Sequence, residues 1–396
     1  MNAKQLNSRV SWVGAMDWDR RLFDALIPLP DGTSYNSYLI NGRDKTVLID
    51  SVDPAMLTEL LDKLEDVENI DYIVANHGEQ DHSGSIPVVM GLYPESVLIT
   101  SSKGKSVMMD HLGVPEERIK VVEDGEELSL GDCTLKFIYT PWVHWPETMC
   151  TYLVEDGVLF SCDLFGAHVA SSNIMVAGED ENLEAARRYY AEIMMPFATF
   201  VHKNVEKLKV YNISMICPSH GQVHTDPEVI MNAYDQWATD LPKDKVVIPY
   251  ISMHDSTREM VDYLVGALAD RNIEVEQFDL TVADIGRLAS SLVDAATVVI
   301  ATPTVLAGPH PLAAYAAFLA NALRPKFKFA TVIGSYGWGG KTVETLAGML
   351  STVKPELLEP VLVKGMPQEE TMVSLDALAD VIAEKHVQIG ARQALM

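Results

Sequence analysis

The sequence predicts an α/β protein with two units, a sandwich of sheets covered by helices followed by a doubly wound parallel sheet. Three observations lead to this prediction. Short β-rich runs interrupted by helical stretches fill the first part, strand and helix alternate after about residue 245, and the polar segment 240–245 (DLPKDK) separates the two patterns. A chain of 396 residues accommodates two domains of about 100–200 residues. We therefore expect domains at 1–243 and 244–396.

The first unit is predicted mainly from β-rich runs bounded by turn residues. Helical spacing of apolar residues predicts helices over 54–68, 104–112 and 181–210, and a further buried strand lies within 209–221. Such interrupted strands are typical of a sandwich of sheets covered by helices. The predicted strands are SYNSYLI (34–40), TVLIDSV (46–52), DYIVANH (71–77), SVLITSS (96–102), CTLKFIYT (133–140), MCTYLVED (149–156) and GVLFSCD (157–163).

The second unit is predicted from strand–helix alternation. Near-continuously apolar strands separated by helices indicate a parallel sheet that is buried on both faces. The predicted strands are 246–251, 273–280, 296–301, 328–335 and 359–365, and the predicted helices are 257–270, 283–293, 310–323, 340–352 and 373–386.

Composition narrows the possible partners and compartment. The chain has 56 acidic and 30 basic residues and a formal charge of −26, which disfavours nucleic acid and anionic membranes as partners. Its most apolar stretch, 312–323, is shorter than a bilayer span, and the N-terminus lacks the apolar core of a signal peptide. The four cysteines form no C-x-x-C pair. We expect a soluble protein in the reducing cytoplasm.

A cluster of metal-ligand residues follows the strand 71–77. His77, Glu79, Asp81 and His82 lie within six residues, and further candidates follow apolar runs at His144, Asp163 and His220. Taken singly, a histidine or aspartate after a strand is usually a loop residue that makes a backbone hydrogen bond. Taken together, four imidazoles and three carboxylates are enough ligands for two metals if one carboxylate bridges. The sequence therefore predicts a dinuclear metal site.

Three loops of the second unit predict a ligand site. Hydroxyls that precede a helix favour a phosphate, although they are more often simple helix caps. The other two loops also follow strand ends, where doubly wound sheets bind ligands, and Tyr336 or Trp338 of the loop 334–340 could line a flavin ring. The absence of G-x-G-x-x-G disfavours NAD. The candidate residues are Ser252, Met253, His254, Asp255, Ser256, Thr257; Pro303, Thr304, Val305, Leu306; and Ser335, Tyr336, Gly337, Trp338, Gly339.

The metal motif resembles that of the metallo-β-lactamase superfamily over residues 1 to about 240. Its zinc hydrolases usually read H-x-H-x-D-H, whereas this chain reads H-x-E-x-D-H, as in the flavodiiron proteins. A carboxylate in place of imidazole shifts the preference towards iron. The resemblance implies one iron held by His77, Glu79 and His144, a second held by Asp81, His82 and His220, and a bridge through Asp163.

The flavin loops extend this resemblance to nearly the whole chain. The loop 252–257 resembles the flavodoxin phosphate loop S/T-x-T-G-x-T, with His254 and Asp255 as departures, and GSYGW (334–338) is close to the flavodiiron form. The family reduces O₂ to water or NO to N₂O at a diiron centre supplied with electrons by FMN. Tyr189 or Tyr190 matches a family tyrosine near the irons and is assigned a proton-donating or hydrogen-bonding role. The segment 22–30 departs from the aromatic, histidine-containing stretch of the family.

The resemblance also implies partners. We expect a head-to-tail homodimer or a homotetramer, and electrons from a separate donor, either a rubredoxin-like protein or a reduced deazaflavin coenzyme. The alternative is a dinuclear zinc hydrolase with a flavodoxin-like domain. Metal analysis and flavin absorbance discriminate between the two interpretations.

Overall fold

The computed structural model describes residues 2–176, 183–239 and 241–393. Contacts divide the chain into two compact units. One unit runs to Tyr190 and includes Phe197–Ala238, and the other comprises Ala191–Pro196 and the chain from Thr239 onward. The predicted α/β class is confirmed, whereas the domain boundary at 243/244 stays a prediction.

The first unit contains two large sheets. One sheet starts antiparallel and becomes parallel over its last four strands, which in spatial order gives Lys4–Gln5, Val10–Trp12, Tyr38–Asn41, Thr46–Ile49, Tyr72–Val74, Val97–Thr100 and Ile119–Val121. The other sheet is mainly antiparallel and contains Glu127–Ser129, Thr134–Tyr139, Met149–Leu153, Val158–Cys162, Met215–Pro218, Val223–His224 and Met175–Val176. Two small hairpins pair Ala15–Asp17 with Thr33–Tyr35 and Leu22–Phe23 with Ile27–Pro28.

Helices cover the sheets of this unit. Leu60 and Met108 pack with Ile73 and Leu98 in a core on the outer face of the first sheet. The α-helices are Leu57–Leu64, Gln80–Ser83, Ile86–Leu92, Ser102–Leu112, Leu183–Tyr189, Ala198–Leu208 and Pro227–Ala238. Short 3₁₀ turns occupy Pro54–Met56 and Glu116–Arg118. A π-helical turn, Tyr190–Met194, and a 3₁₀ turn, Met195–Phe197, contain the segment Ala191–Pro196 that groups with the second unit.

The two sheets pack face to face through apolar side chains. Trp12 and Tyr38 of the first sheet lie in one core with Phe137, Phe160 and Cys217 of the second. Burial of these alternating positions removes a large apolar area from water, which favours the sandwich at about 25 cal/mol per Å². The sandwich brings the ends of strands from both sheets towards one region, which positions the metal ligands described below.

One predicted strand is interrupted. The run 34–40 forms two strands, Thr33–Tyr35 and Tyr38–Asn41, with a break at Asn36. The Asn36 backbone N–H donates to the carbonyl of Ser219 at 2.7 Å, outside the strand ladder. Its side-chain amide donates to Pro218 and Gly221 carbonyls at 2.8 Å. These long-range bonds satisfy the backbone where the ladder stops.

The second unit is a parallel sheet with helices on both faces. Its strands run in the order Glu274–Asp279, Lys245–Tyr250, Thr297–Ala301 and Phe329–Tyr336, and the last of these pairs with Glu356–Leu357 and Val361–Lys364. This 2-1-3-4-5 chain order is that of flavodoxin-like sheets. The helices are Ser256–Asp270, Ile285–Leu292, Pro311–Leu323, Thr342–Met349 and Glu369–Gln388, and a small hairpin joins Thr304–Val305 to Gly308–Pro309.

Separate apolar cores cover the two faces of this sheet. Leu264 and Leu375 lie with Val299 in one core, and Leu288 and Ala317 lie with Val298 in the other. Adjacent strand residues point to opposite faces, so both faces are buried and the strands are apolar throughout. Among the described residues, none of the helices has the length and apolar character required to cross a membrane.

Candidate metal centre

The seven predicted ligands lie at strand ends of both sheets of the first unit. His77 follows the strand Tyr72–Val74, and the short helix Gln80–Ser83 carries Asp81 and His82. His144 follows Thr134–Tyr139, Asp163 follows Val158–Cys162 directly, and His220 follows Met215–Pro218. Strand ends fix loop residues on a rigid scaffold, so side chains far apart in sequence converge.

One group of donor atoms, here named the His77 half, comprises His77, Glu79 and His144. The Nε2 atoms of both histidines lie 3.2 Å from the Glu79 Oε2 atom. The Asp163 Oδ2 atom lies 3.4 Å from His77 Nε2 and 3.6 Å from His144 Nε2. Four ligand atoms therefore surround a common point.

A second group, the His220 half, comprises Asp81, His82 and His220. The Asp81 Oδ2 atom lies 3.3 Å from His82 Nε2 and 3.1 Å from His220 Nε2. The other oxygen of Asp163, Oδ1, lies 3.0 Å from His82 Nε2 and 3.7 Å from His220 Nε2. Asp163 thus presents one oxygen to each half, as a bridging ligand requires.

The donor atoms fit a pair of first-row metal ions. Donors about 2.1 Å from such an ion are separated by roughly 3.0–3.4 Å in octahedral or tetrahedral geometry, which matches most of the separations above. Both carboxylate oxygens of Asp81, both ring nitrogens of His82 and Asp163 Oδ2 are buried without a hydrogen-bond partner among the described residues. Buried polar atoms carry a large free-energy cost unless something pairs with them, and cations would pair with these.

Outer contacts fix the tautomers of two ligands. The His77 Nδ1–H donates to Glu147 Oε1 at 2.7 Å, and the Gly78 N–H donates to the same oxygen at 3.1 Å. The His220 Nδ1–H donates to the carbonyl of Ser34 at 2.6 Å. In both rings the Nε2 lone pair is therefore left for a metal.

Glu147 was not predicted from the sequence. It lies three residues after His144 in HWPET, and the only sequence signal was the general need of a ligating histidine for an outer carboxylate. Its contact with His77 joins residues 70 positions apart, so only the fold reveals it.

Charge complementarity dominates the electrostatics of the centre. Burial alone would lower the pKa of His82, but the carboxylates of Asp81 and Asp163 raise it to about 9. Burial would raise the pKa of Asp163, but His82, His77 and His144 hold it well below its usual range. Asp163 therefore stays ionised and attracts positive charge into the site.

The two candidate tyrosines differ in their contacts with the centre. The Tyr189 hydroxyl donates to Asp163 Oδ1 at 2.8 Å. The Tyr190 hydroxyl is buried without a hydrogen-bond partner among the described residues, and its ring packs against Tyr234 and Trp237. Burial and the Asp163 charge raise the pKa of Tyr189 well above its usual value, so its hydroxyl keeps its proton.

The segment 22–30, whose sequence differs from the corresponding stretch of the family, forms a hairpin beside the candidate metal centre. The Phe23 ring lies 4.8 Å from the His168 ring and 6.1 Å from the His220 ring, measured between centroids. Burial, followed by the negative charges of Glu79 and Asp81, raises the pKa of Asp24. The hairpin therefore places one aromatic ring beside His168 and His220 and one carboxyl group near Glu79 and Asp81.

The three predicted flavin loops follow the carboxyl ends of neighbouring parallel strands. The loop 252–257 follows Lys245–Tyr250, the loop 303–306 follows Thr297–Ala301, and residues 335–339 end the strand Phe329–Tyr336. The Thr257 and Ser335 hydroxyls lie 3.4 Å apart, which brings two of the loops together.

These loops combine a phosphate-type turn with exposed apolar side chains. Asp255, at the helix N-cap, has φ 63° and ψ −16°, the left-handed conformation that the family glycine adopts at no steric cost. Met253, Leu306 and Trp338 are 52%, 93% and 84% exposed, one in each loop. Apolar side chains on three converging loops fit a planar, largely apolar ligand such as a flavin ring.

Comparison with known proteins places the chain in a family. A family model described as "ODP family beta lactamase" matches residues 33–221. A nitric oxide reductase from Moorella thermoacetica is 35% identical over 358 residues, which cover 88% of this chain and 90% of that protein. A coenzyme F420H(2) oxidase from Methanothermobacter marburgensis is 32% identical over 365 residues, which cover 88% of this chain and 90% of that protein.

A solved structure shows the same architecture over nearly all of the chain. Rubredoxin oxygen:oxidoreductase from Desulfovibrio gigas superposes with a TM-score of 0.94 at 31% identity, and the match covers 98% of this chain and 100% of the other. With the metallo-β-lactamase-like unit, the flavodoxin-like unit and the H-x-E-x-D-H cluster in place, the chain belongs to the flavodiiron protein family.

Proposed function

We propose that this protein is an oxidoreductase that reduces O₂ to water, NO to N₂O, or both, at two irons in the first unit, with electrons delivered through FMN in the second unit. The observation that carries the proposal is the convergence of seven nitrogen and oxygen donor side chains, five of them buried and Glu79 and His144 half-buried, in two groups joined by Asp163. Relatives named for NO reduction, F420H₂ oxidation and oxygen reduction support it.

The His77 half would hold one iron, the His220 half would hold the other, and Asp163 would bridge them. When bound, a diiron pair supplies electrons and open coordination positions to a diatomic substrate. Nitrogen and oxygen donors without thiolate suit iron. His77 and His220 are oriented by Glu147 and by the Ser34 carbonyl, which keep their Nε2 atoms aimed into the centre.

Tyr189 would hold a proton at the buried centre. Reduction of either substrate consumes protons, and the Tyr189 hydroxyl is a neutral donor that already touches Asp163 Oδ1. Since burial keeps this hydroxyl protonated, it serves as a hydrogen-bond donor at neutral pH. Tyr190 lacks such a contact and would act only in packing.

The three loops of the second unit would bind FMN. Bound FMN exchanges electrons one or two at a time. Ser252, Ser256 and Thr257 would contact the phosphate beside the start of helix Ser256–Asp270, and Trp338 would cover the ring. The remaining predicted contacts, Met253, His254, Asp255, Pro303, Thr304, Val305, Leu306, Ser335, Tyr336, Gly337 and Gly339, complete these loops.

Metal and flavin analysis tests the proposal against the zinc hydrolase alternative. We expect two irons and one FMN per chain in protein purified without air. Two zinc ions and no flavin absorbance would overturn the proposal. Glu79 counts against zinc because zinc hydrolases of this superfamily usually place a histidine at that position.

One set of assays identifies both the electron donor and the gas that accepts the electrons. Anaerobic protein is mixed with O₂ or NO, with either a reduced rubredoxin or a reduced deazaflavin coenzyme as the electron donor. We expect consumption of at least one gas with at least one donor. No consumption in any combination by protein that contains both iron and FMN would overturn the proposal.

We further propose a head-to-tail homodimer or homotetramer in the cytoplasm, in which one subunit's flavin serves the partner's irons. Sedimentation coupled to activity tests it. A monomer with full multi-turnover activity would contradict the assembly.

A further inference from the structure

The inner ligands of the two half-sites are alike. Each half contributes two imidazoles and one carboxylate, and both share Asp163. The two halves therefore match in the number and element of their inner donor atoms. They differ in the groups that contact those ligands.

The outer contact of the histidines differs between the halves. In the His77 half, His77 donates its Nδ1–H to the carboxylate of Glu147, whose side chain is only 1% exposed. In the His220 half, His220 donates to a neutral backbone carbonyl, that of Ser34. The His82 Nδ1 atom has no hydrogen-bond partner among the described residues. Of these three imidazoles, only that of His77 donates a hydrogen bond to a buried carboxylate within the part of the chain that the structure describes.

The bridging carboxylate is unequal in the same direction. Asp163 Oδ1, the oxygen near His82, accepts the hydrogen bond from Tyr189. Asp163 Oδ2, the oxygen near His77, is buried without a hydrogen-bond partner among the described residues. A hydrogen bond draws electron density from the oxygen that accepts it, so Oδ1 is the weaker donor towards a metal.

The His77–Glu147 and Tyr189–Asp163 hydrogen bonds both affect how well each half stabilises the positive charge of a bound metal ion. A carboxylate that accepts the Nδ1–H of a ligating histidine makes the other ring nitrogen more basic. A buried negative charge close to a metal also favours the higher metal charge, because screening is weak there. Together the two contacts enrich the His77 half in electron density and deplete the His220 half.

We propose that Glu147 and Tyr189 are positioning residues that make the two irons electronically unequal, so that the iron of the His77 half is oxidised first and reduced last. This inference rests on the proposed diiron function. It assigns to Glu147 a role that is separate from ligation, and to Tyr189 a role beyond proton donation. The two residues lie behind opposite half-sites, so removing either contact should make the irons more alike.

A redox titration of the intact iron- and FMN-loaded protein tests this. The isosteric variant Glu147→Gln keeps the side-chain shape and removes the charge, and Tyr189→Phe removes only the hydroxyl. Exposed Glu68→Gln is the matched control for loss of a carboxylate. Electron paramagnetic resonance detects the one-electron-oxidised diiron pair. The range of potential over which this signal persists measures the difference between the reduction potentials of the two irons.

We expect wild type and Glu68→Gln to be oxidised in two separated steps. Glu147→Gln should move the lower step to higher potential, and Tyr189→Phe should move the upper step to lower potential, so each variant narrows the range. Stepwise Co²⁺ binding to metal-free protein should show one of two affinities reduced by about 10- to 100-fold in Glu147→Gln.

The inference fails if either Glu147→Gln or Tyr189→Phe leaves this potential range unchanged or widens it. Because the two variants alter different half-sites, poor folding of one still leaves the other as a test. If wild type purified without air holds zinc and no iron, the proposed function fails. If the iron titrates in two steps that neither variant changes, the assignment of the inequality to Glu147 and Tyr189 fails while the proposed function stands.

Discussion

At the scale of single residues, we expect position 79 to decide which metal the centre favours. The Glu79 Oε2 atom lies 3.2 Å from the Nε2 atoms of His77 and His144. It would therefore add an oxygen ligand beside two nitrogen ligands of the same metal ion. We expect Glu79→His to raise the zinc-to-iron ratio of the purified protein and to lower gas reduction, because a third nitrogen in the His77 half favours zinc. Elemental analysis of protein grown with equal iron and zinc measures this.

The matched control for this substitution is Glu68→His, on an exposed loop residue. It should keep the metal ratio of wild type. An unchanged ratio in Glu79→His would show that position 79 does not select the metal.

The adjacent tyrosines form a second pair of matched variants. Tyr189→Phe removes the hydroxyl that contacts Asp163, whereas Tyr190→Phe removes one without a hydrogen-bond partner among the described residues. We expect turnover to fall roughly 10- to 100-fold in the first variant, since acid–base groups contribute about that much or more. Turnover should stay within about twofold of wild type in the second. Equal rates in all three proteins, measured at equal iron content, would rule out a role for Tyr189 in turnover.

Sequence reasoning found the ligand candidates but could not separate these tyrosines. The ligands share residue type and position after strands, which a sequence displays directly. Tyr189 and Tyr190 are neighbours near the end of one helix, where a turn of the backbone decides which side chain meets Asp163. Glu147 was missed for a related reason, because its partner His77 lies on a different strand end.

At the scale of elements, the C-terminal helix Glu369–Gln388 corrects a sequence expectation. From the sequence, a histidine in the predicted helix 373–386 is expected to be solvated, and for His386 this prediction is wrong. It is fully buried, its Nδ1–H donates to Asp244 at 2.8 Å, and its Nε2 lies 2.7 Å from the Thr297 hydroxyl. These bonds tie the helix to the starts of two strands.

His386 should make the attachment of this helix sensitive to pH. Burial lowers the pKa of His386 below 6.5, and the hydrogen bond to Asp244 opposes this only in part. The unfolded chain therefore binds a proton more readily than the folded one. The stability that neutral His386 contributes is full above pH 6.5 and is lost as the pH falls towards its folded pKa.

We expect His386→Gln to lower the free energy of unfolding of this unit by about 1–3 kcal/mol at pH 7.5, since buried partners lose their bonds. The difference from wild type should shrink between pH 6.5 and 5. Hydrogen exchange in the helix, with exposed His202→Gln as the control, measures both effects. A difference that grows as the pH falls would contradict this assignment.

The strand Phe329–Tyr336 offers a test of sheet packing beside the flavin loops. A Cβ atom on Gly334 would lie 1.9 Å from the Thr302 carbonyl oxygen, whereas one on Gly337 would meet nothing within 4 Å. We expect Gly334→Ala to destabilise the flavin-free unit by about 1–3 kcal/mol or more, because the backbone carbonyl must move. Gly337→Ala should change stability by at most about 0.5 kcal/mol. Denaturant unfolding of both variants measures this, and equal stability would contradict the close approach.

Element boundaries show where sequence reasoning succeeds. Each of the five predicted strands and helices of the second unit overlaps an observed one, because local propensity and burial on both faces agree. The strand expected at 34–40 broke at Asn36, because bonds to residues about 180 positions away replaced the ladder. A distant partner of that kind leaves no local pattern.

At the scale of the whole molecule, net charge governs access by protein donors. The chain carries a formal charge of −26, so an acidic rubredoxin is repelled at long range. We expect electron transfer from such a donor to speed up as salt rises from about 10 to 150 mM, because the Debye length shortens from about 30 to 8 Å. Stopped-flow measurement of flavin reduction checks this, with a small uncharged reductant as the control. A rate that falls with salt would reveal a local basic docking patch.

The placement of the metal ligands on loops has a consequence for evolution. Since His77, Asp163 and His220 stand just beyond strands, the strands themselves need only stay apolar and in register. Their sequences are then free to drift while the reactive centre stays in place. The Desulfovibrio gigas protein illustrates the result, since 69% of aligned positions differ although the TM-score is 0.94. New acceptor preferences can therefore arise by changing loops such as the Phe23 hairpin, without rebuilding the scaffold.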